Sequence, residues 1–421
     1  MTKLEALKND LKWRGLLKDI ANEEKLEDIL QDGAYFYVGI DPTSDSLHLG
    51  HYISIILAKI LNQHGLKPIF IIGGFTGMIG DPSGKNVERE LISQKDISDN
   101  VFALKTIINR LAYRLNILDY KIIDNNIWYQ PMLLVEYFQK YGKLFNVNEM
   151  ITKDSVKSRL SSGISYTEFS YQIFQAIDFY KLYQEHNVRL QLGGSDQWGN
   201  IVSGLKLIRK LEGDVAVSGM TINLITDKNG NKIGKTEKNP LWIDKDKLSS
   251  YFVYQYLINL EDDIAKNLLP QLTLITSEEF KKLEVDAKNN KKARLYQHEL
   301  SKLIFNQIYS EHEYNHAHGI SRKLFDEKFF ALSRSEIHEI IGVIESYDSD
   351  NNKDSLIQFL IENKILKSKR EVRELLKGKA LKINGEIVAD EMLTFHDYKP
   401  VHKKYFFLKL GKKRMIIIEV H

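Results

Sequence analysis

The chain has 421 residues, is 43% hydrophobic and 27% charged, carries a formal net charge of +3 and contains no cysteine. That length accommodates two or three domains with a sizeable core, and the composition is that of an ordinary globular protein. Disulfides, thiolate zinc sites and cysteine nucleophiles are excluded. No apolar run approaches the roughly 18 residues of a membrane span, so a cytoplasmic location is the expectation.

In chain order, residues 1–17 read as an amphipathic helix with charges throughout, unlike the apolar core of a secretory leader. Residues 35–40 (YFYVGI) predict a short strand. DPTSDSLHLGH follows, then an apolar helical stretch over 52–63. Residues 67–72 (KPIFII) predict a second buried strand, leading into GGFTGMIGDPSGK. Helical patterns cover 99–118, 131–141 and 166–182. A strand over 188–192 precedes GGSDQWGN, a helix spans 201–211, and a strand over 220–226 precedes the polar NGNKIGKTEKNP. Residues 249–324 are helical in pattern. The polar stretch within 325–352 reads as a linker, and 355–421 reads as two short helices followed by strands. Strands alternating with helices imply the α/β class with a parallel sheet, whose ligands bind at the carboxyl ends of the strands. Both glycine-bearing loops begin at such ends.

Charge is uneven. From residue 356 onward there are 15 Lys and Arg against 8 Asp and Glu, a balance of +7 that leaves −4 for the rest. A basic tail module suits an anionic partner, nucleic acid first, although charge alone fits a solvated surface as well.

Two loops carry chemistry. The first is Asp41-Pro42-Thr43, then His48-Leu49-Gly50-His51, at a strand-to-helix turn. Gly50 allows a nucleotide close to the backbone, the helix N-terminus favours phosphate, and two histidines three apart can donate to phosphate oxygens. A metal reading lacks a third ligand nearby. The second is Lys232-Ile233-Gly234-Lys235-Thr236, where two ammonium groups and a hydroxyl can gather around a polyphosphate. In isolation it would read as a solvated turn. It is no P-loop: only three residues separate Gly230 from Gly234 where that motif needs four, and Gly80 and Gly84 fail in the same way.

The pairing of the two loops resembles the two signatures of the class I aminoacyl-tRNA synthetases. YVGIDPTSDSLHLGH, GGFTGMIGDPSGK, YTEFSYQIFQAIDF, QLGGSDQWGN and KIGKT together resemble the bacterial tyrosyl-tRNA synthetases along the whole chain. The resemblance implies a Rossmann-like parallel-sheet catalytic domain (1–225), a helical domain with the KIGKT loop (226–330), a linker (331–354) and a small basic α+β RNA-binding domain (355–421). It implies tyrosine–tRNA ligase activity, with L-tyrosine, ATP accompanied by Mg²⁺, and tRNA-Tyr as substrates, no protein-bound metal, and a homodimer. The apolar stretch 131–145 is then an interface segment, although burial within one chain would look the same in sequence.

Tyr171, Gln175 and Asp178 lie at i, i+4 and i+7 and share one helix face. A buried Asp there needs a partner, either within the protein or in a ligand. By resemblance, Asp178 and Tyr37 would hydrogen-bond the tyrosine hydroxyl, Asp81, Tyr171 and Gln175 would hold its ammonium, and Gln197 would sit by its carboxylate. The tyrosyl enzymes are the standing example of selection through a substrate hydroxyl. Gly39, Asp41, Gly50, Ser54, Gly194 and Asp196 would contact the adenosine part. Asn126 would join them, with Asn125 as the alternative because one residue is missing after it relative to the family. Thr43, His48 and His51 would bind the ATP phosphates, and Lys85, Arg89, Lys232, Lys235 and Thr236 the departing pyrophosphate. Lys367, Lys369, Arg370, Arg373, Lys377 and Lys379 would contact tRNA. Leu49 and Ile233 depart from the signatures at apolar packing positions, and Val38 removes a polar group near the ribose. The rivals are a tryptophanyl enzyme, disfavoured by the Tyr37–Asp178 pair, and a non-catalytic RNA-binding protein, disfavoured by two intact signatures.

Overall fold

The structure, a computed structural model, describes residues 1–83, 92–225, 240–290, 293–349, 355–390, 392–412 and 414–421. The chain divides into two compact units, one of residues 1–247 and 260–309, the other of 248–259 and 310–421.

The first unit is built on a six-stranded sheet in the order β1-β6-β5-β2-β3-β4. Its strands are β1 (Leu17–Ala21), β2 (Tyr35–Ile40), β3 (Lys67–Ile72), β4 (Lys121–Asp124), β5 (Val188–Gly194) and β6 (Ser218–Ile222). β2 to β6 run parallel, and β1 joins the edge antiparallel to β6. β2 and β3 are near-continuous apolar runs because helices cover both faces. The chain leaves β2 towards β3 and β4, then returns to place β5 on the other side of β2. The order therefore reverses between β2 and β5, and a crevice opens beyond their carboxyl ends.

Side-chain caps start the helices around this sheet. Ser93 accepts from Asp96 N–H at the head of Gln94–Arg114, and Ser165 accepts from Glu168 N–H at the head of Tyr166–His186. Asn187, at φ 54°, ends the latter in the left-handed conformation that asparagine tolerates. Arg14 ties the N-terminal helix to the chain after Asp262–Leu272. It donates to the carbonyls of Pro270, Thr273 and Ile275 at 2.9–3.1 Å and to Asp10 at 2.7 Å. Asp10 also meets His64 at 3.1 Å.

The second unit holds the helices Ser250–Ile258, Glu311–Phe325 and Arg334–Ile340 and a five-stranded sheet in the order β7-β11-β10-β8-β9. Here β7 is Glu345–Ser349, β8 Leu381–Ile383, β9 Glu386–Ile387, β10 Tyr405–Leu410 and β11 Arg414–Val420. This sheet and the helices Leu356–Glu362 and Lys369–Lys377 enclose a core that includes Leu360, Val372, Phe395, Phe406 and Ile418.

At three places the elements fall differently from the expected bounds. The helical domain over 226–330 is divided: Asp262–Leu272 packs on Leu49–Gln63 and Leu295–Ile308 on Gln94–Arg114, which assigns 260–309 to the first unit. The linker over 331–354 contains a helix with a Ser333/Glu336 capping box and the strand β7, parallel to β11. β7 is polar (ESYDS) because it is an edge strand held by backbone hydrogen bonds. Residues 131–141 form only the short helix Leu134–Glu136 and a π-helical turn Tyr137–Tyr141. The strands β1 and β4, too short and polar to show a period, are additions.

Candidate active site

A cavity of about 540 Å³ occupies the crevice at the reversal of strand order. β2 contributes Tyr37, Val38 and Gly39, the loop after it Asp41, Thr43, His48, Gly50 and His51, and the following helix Ser54. Asp81 lies on one wall, Tyr171, Gln175 and Asp178 on another, and Gly194, Asp196 and Gln197 follow β5. Every described residue that sequence reasoning assigned to tyrosine or ATP lines this cavity except Asn126, which borders a separate cavity beside Gln94–Arg114. Asn125, the alternative, does line the main cavity. It is fully buried and donates from Nδ2 to Asp178 Oδ2 and to Thr76 Oγ1, both at 3.0 Å.

Asp178 is a buried carboxylate with protein donors on both oxygens. Oδ1 accepts from Trp128 Nε1 at 2.9 Å and lies 2.9 Å from the Tyr129 hydroxyl, whose one hydrogen is shared with Phe174 O at 2.6 Å, in addition to the Asn125 bond to Oδ2. Burial pushes its pKa up, the three donors counter that, nearby Asp41 adds to it, and the result is about 7. Tyr37 points into the same space, and its buried hydroxyl has no hydrogen-bond partner in the protein. Burial, then the Asp178 charge, hold that phenol well above its ordinary pKa. A buried hydroxyl without a partner costs roughly 1–3 kcal/mol.

From Asp178 a hydrogen-bonded chain runs through Asn125 and Thr76 to Asp41, where Thr76 Oγ1 donates to Oδ1 at 3.0 Å and the Tyr171 hydroxyl to Oδ2 at 3.0 Å. Gly73 makes room for it, because a Cβ there would lie 2.3 Å from both Asp41 Oδ1 and Thr76 Oγ1. Asp81 accepts from Gln197 Nε2 at 2.6 Å and from Ser83 N–H at 3.0 Å.

The first signature is organised by its own histidines. His48 Nδ1 accepts the N–H of His51 at 3.2 Å and caps the helix Leu49–Gln63, and the two rings stack with centroids 3.7 Å apart. Leu49 N–H donates to Leu241 O at 2.8 Å and Ile243 N–H to Leu47 O at 3.0 Å, so residues 241–243 pair with this loop and bring Trp242 beside His48. Lys85, Arg89, Lys232, Lys235 and Thr236 lie outside the described residues. Their described neighbours Ser83, Ile225 and Pro240 line the cavity. Lys367, Lys369, Arg370, Arg373, Lys377 and Lys379 are all exposed on or beside the helix Lys369–Lys377. Sequence reasoning missed Asn125 as the first choice, Trp128, Tyr129 and Asn200. The only local signal was polarity among apolar neighbours.

An open parallel sheet with a histidine-capped helix and a polar crevice at its strand reversal defines a class. The family model described as tRNA synthetases class I (W and Y) matches residues 31–326, and that described as the tyrosine–tRNA ligase SYY-like C-terminal domain matches 336–418. The tyrosine–tRNA ligase of Mycoplasmopsis pulmonis is 43% identical over 99% of both chains, and that of Leuconostoc mesenteroides is 39% identical over 98% of this chain and 99% of its own. The crystal structure of a C-terminally truncated mitochondrial tyrosyl-tRNA synthetase from Coccidioides posadasii superposes with a TM-score of 0.65 at 28% identity, over 75% of this chain and 91% of that one. The chain belongs to the tyrosine–tRNA ligase family of class I tRNA synthetases.

Proposed function

We propose that this chain activates L-tyrosine with ATP and transfers it to the 3′-terminal ribose of tRNA-Tyr. The observation that carries the reading is one cavity lined both by Asp178 and by Tyr37 with its unpartnered hydroxyl, and by His48 and His51 at the capped head of the helix Leu49–Gln63. Asp178 would accept a hydrogen bond from the substrate hydroxyl and Tyr37 would donate to its oxygen. Phenylalanine would leave the Tyr37 hydroxyl without a partner and deprive Asp178 of its ligand donor, which is how a site built for a hydroxyl rejects the analogue that lacks it. Asp81, Tyr171 and Gln175 would surround the ammonium, and Gln197 would lie beside the carboxylate. Gly39, Asp41, Gly50, Ser54, Gly194 and Asp196 would contact the nucleoside, and Asn125 would serve through its bond to Asp178.

In the first step a tyrosine carboxylate oxygen attacks the α-phosphorus in line, the bond to the β-phosphate bridging oxygen breaks, and pyrophosphate leaves. Charge accumulates on phosphate oxygens, so preorganised donors lower the barrier. Thr43, His48 and His51 would supply donors from one side. Lys85, Arg89, Lys232, Lys235 and Thr236, which lie outside the described residues, would supply the others. Mg²⁺ would enter with ATP as part of the substrate. In the second step the tRNA ribose hydroxyl attacks the mixed anhydride and AMP leaves.

The six exposed cations around Lys369–Lys377 would grip tRNA phosphates, with binding that weakens steeply as salt rises. A homodimer fits the exposed apolar side chains of Leu133, Leu134, Val135 and Phe138, of which the first two are 67% and 72% exposed. No helix among the described residues is long and apolar enough to cross a membrane, and a cytoplasmic setting goes with this reading. The test is ATP–pyrophosphate exchange with tyrosine, tryptophan and phenylalanine in parallel. Exchange with tyrosine alone is expected; exchange with tryptophan, or with none of the three, would overturn the assignment.

A further inference from the structure

We propose that Asn200 is a positioning residue that sets the polarity of the amino-acid ammonium site, an inference that rests on the function proposed above. Asn200 lies on the helix Trp198–Glu212 and is 4% exposed. Its Nδ2 donates to Gln175 Oε1 at 2.9 Å and to Gln197 Oε1 at 3.2 Å, with Ser83 Oγ further off at 3.4 Å. Gln197 in turn donates from Nε2 to Asp81 Oδ2 at 2.6 Å.

The direction of this chain follows from its anchor. A carboxylate only accepts, so Gln197 must turn its nitrogen to Asp81 and its oxygen to Asn200. Asn200 must then present its nitrogen, whose two hydrogens satisfy both glutamine oxygens, and Gln175 is held with its oxygen towards Asn200. A second lone pair of that oxygen remains for a cation. Turned end for end, the Gln175 amide would offer N–H donors to an ammonium group. Asn200 thus transmits the acceptor character of Asp81 to Gln175, and the two residues assigned to the ammonium keep the same sign. The bond from Gln197 Nε2 to Asp81, which does not depend on Asn200, leaves the second N–H of Gln197 for a substrate carboxylate.

The test compares Asn200→Asp and Asn200→Ala with the native full-length protein. The dissociation constants of tyrosine and of 3-(4-hydroxyphenyl)propionate, which lacks the ammonium, are measured by calorimetry, with ATP KM from the exchange assay. Tyrosine binding is expected to weaken roughly tenfold or more, as for loss of a hydrogen bond supporting a charged group. The desamino acid should change less than about twofold, since no ammonium is present for Asn200 to serve, and the ATP KM should stay the same. Equal weakening of both ligands would mean a merely structural role, and no change in either would mean no role; both outcomes overturn the proposal. The ratio of the two constants is taken on one sample, so incomplete folding of either variant does not alter it. Native protein that fails to exchange with tyrosine overturns the proposed function and this inference together. Active native protein with unchanged variants overturns this inference alone.

Discussion

Asn125 donates to Asp178 across 3.0 Å with an amide whose orientation is not free, because its own oxygen accepts the backbone N–H of Phe75 at 2.8 Å. The nitrogen must face the carboxylate. Asp178 is held by two fixed donors, Asn125 Nδ2 and Trp128 Nε1, and the single hydrogen of the Tyr129 hydroxyl is shared between Asp178 Oδ1 and Phe174 O. Asn126 makes no such contact with the cavity and instead binds Asp124 through its backbone N–H at 3.0 Å.

Asn125→Ala should therefore cost roughly 1–3 kcal/mol of stability and raise the tyrosine KM, because a buried carboxylate loses a donor. Asn126→Ala should stay within about 0.5 kcal/mol of the native protein. Thermal melts and exchange kinetics on both variants decide this, and equal effects would restore Asn126 as a site residue.

The Asp178 pKa of about 7 predicts two opposite pH effects. Its folded-state value exceeds the unfolded value near 3.8, so the folded state binds more protons across that interval, and the contribution of this group to stability falls as pH rises from about 4 to about 7. Tyrosine adds a donor to the carboxylate and favours the ionised form. Its affinity should then fall as pH drops through about 7. Binding measurements from pH 6 to 8.5 should show this dependence, and the Asp178→Asn variant should lack it; a flat native profile would contradict the assignment.

Asp10 behaves in the opposite sense. Burial raises its pKa, but hydrogen bonds from His64, Arg14 and Trp13 outweigh burial and bring it down to about 2. Because the folded value is depressed, its stabilisation is present above the unfolded value near 3.8 and is lost as pH falls towards 2. Asp10→Asn should cost about 2 kcal/mol at pH 7, with the difference from the native protein closing towards pH 2. Denaturant melts at three pH values check the convergence.

His48 serves the fold as well as the proposed chemistry, since its Nδ1 caps the helix Leu49–Gln63. His48→Ala should lose about 1 kcal/mol of stability, whereas His48→Asn, a strong capping residue, should keep it. Both should lower kcat for exchange if the imidazole also serves the phosphates. A fully active Asn variant would confine His48 to capping.

A cut at about residue 350 would strand β7, whose sheet partner is β11. A chain ending after Val343 avoids this and removes the exposed cations of Lys369–Lys377 as well. It should retain tyrosine-dependent exchange and lose tRNA charging. Loss of both activities would make the C-terminal sheet a structural element instead.

The sequence alone determined the parts whose physics is local. β2 and β3 end where their apolar runs end, the loop after β2 declares itself by glycine and histidine spacing, and helical period puts Tyr171, Gln175 and Asp178 on one face. Tertiary structure decided what depends on residues far apart in the chain. β1, β4 and β7 are polar or short and exist because a distant strand completes their backbone hydrogen bonds. The choice between Asn125 and Asn126 turned on which side chain meets Asp178, 53 positions away. The order Asp81, Gln197, Asn200, Gln175 is a line of hydrogen bonds and has no counterpart in sequence spacing. Directional contacts act over about 3 Å, and only the folded chain brings such residues within that range.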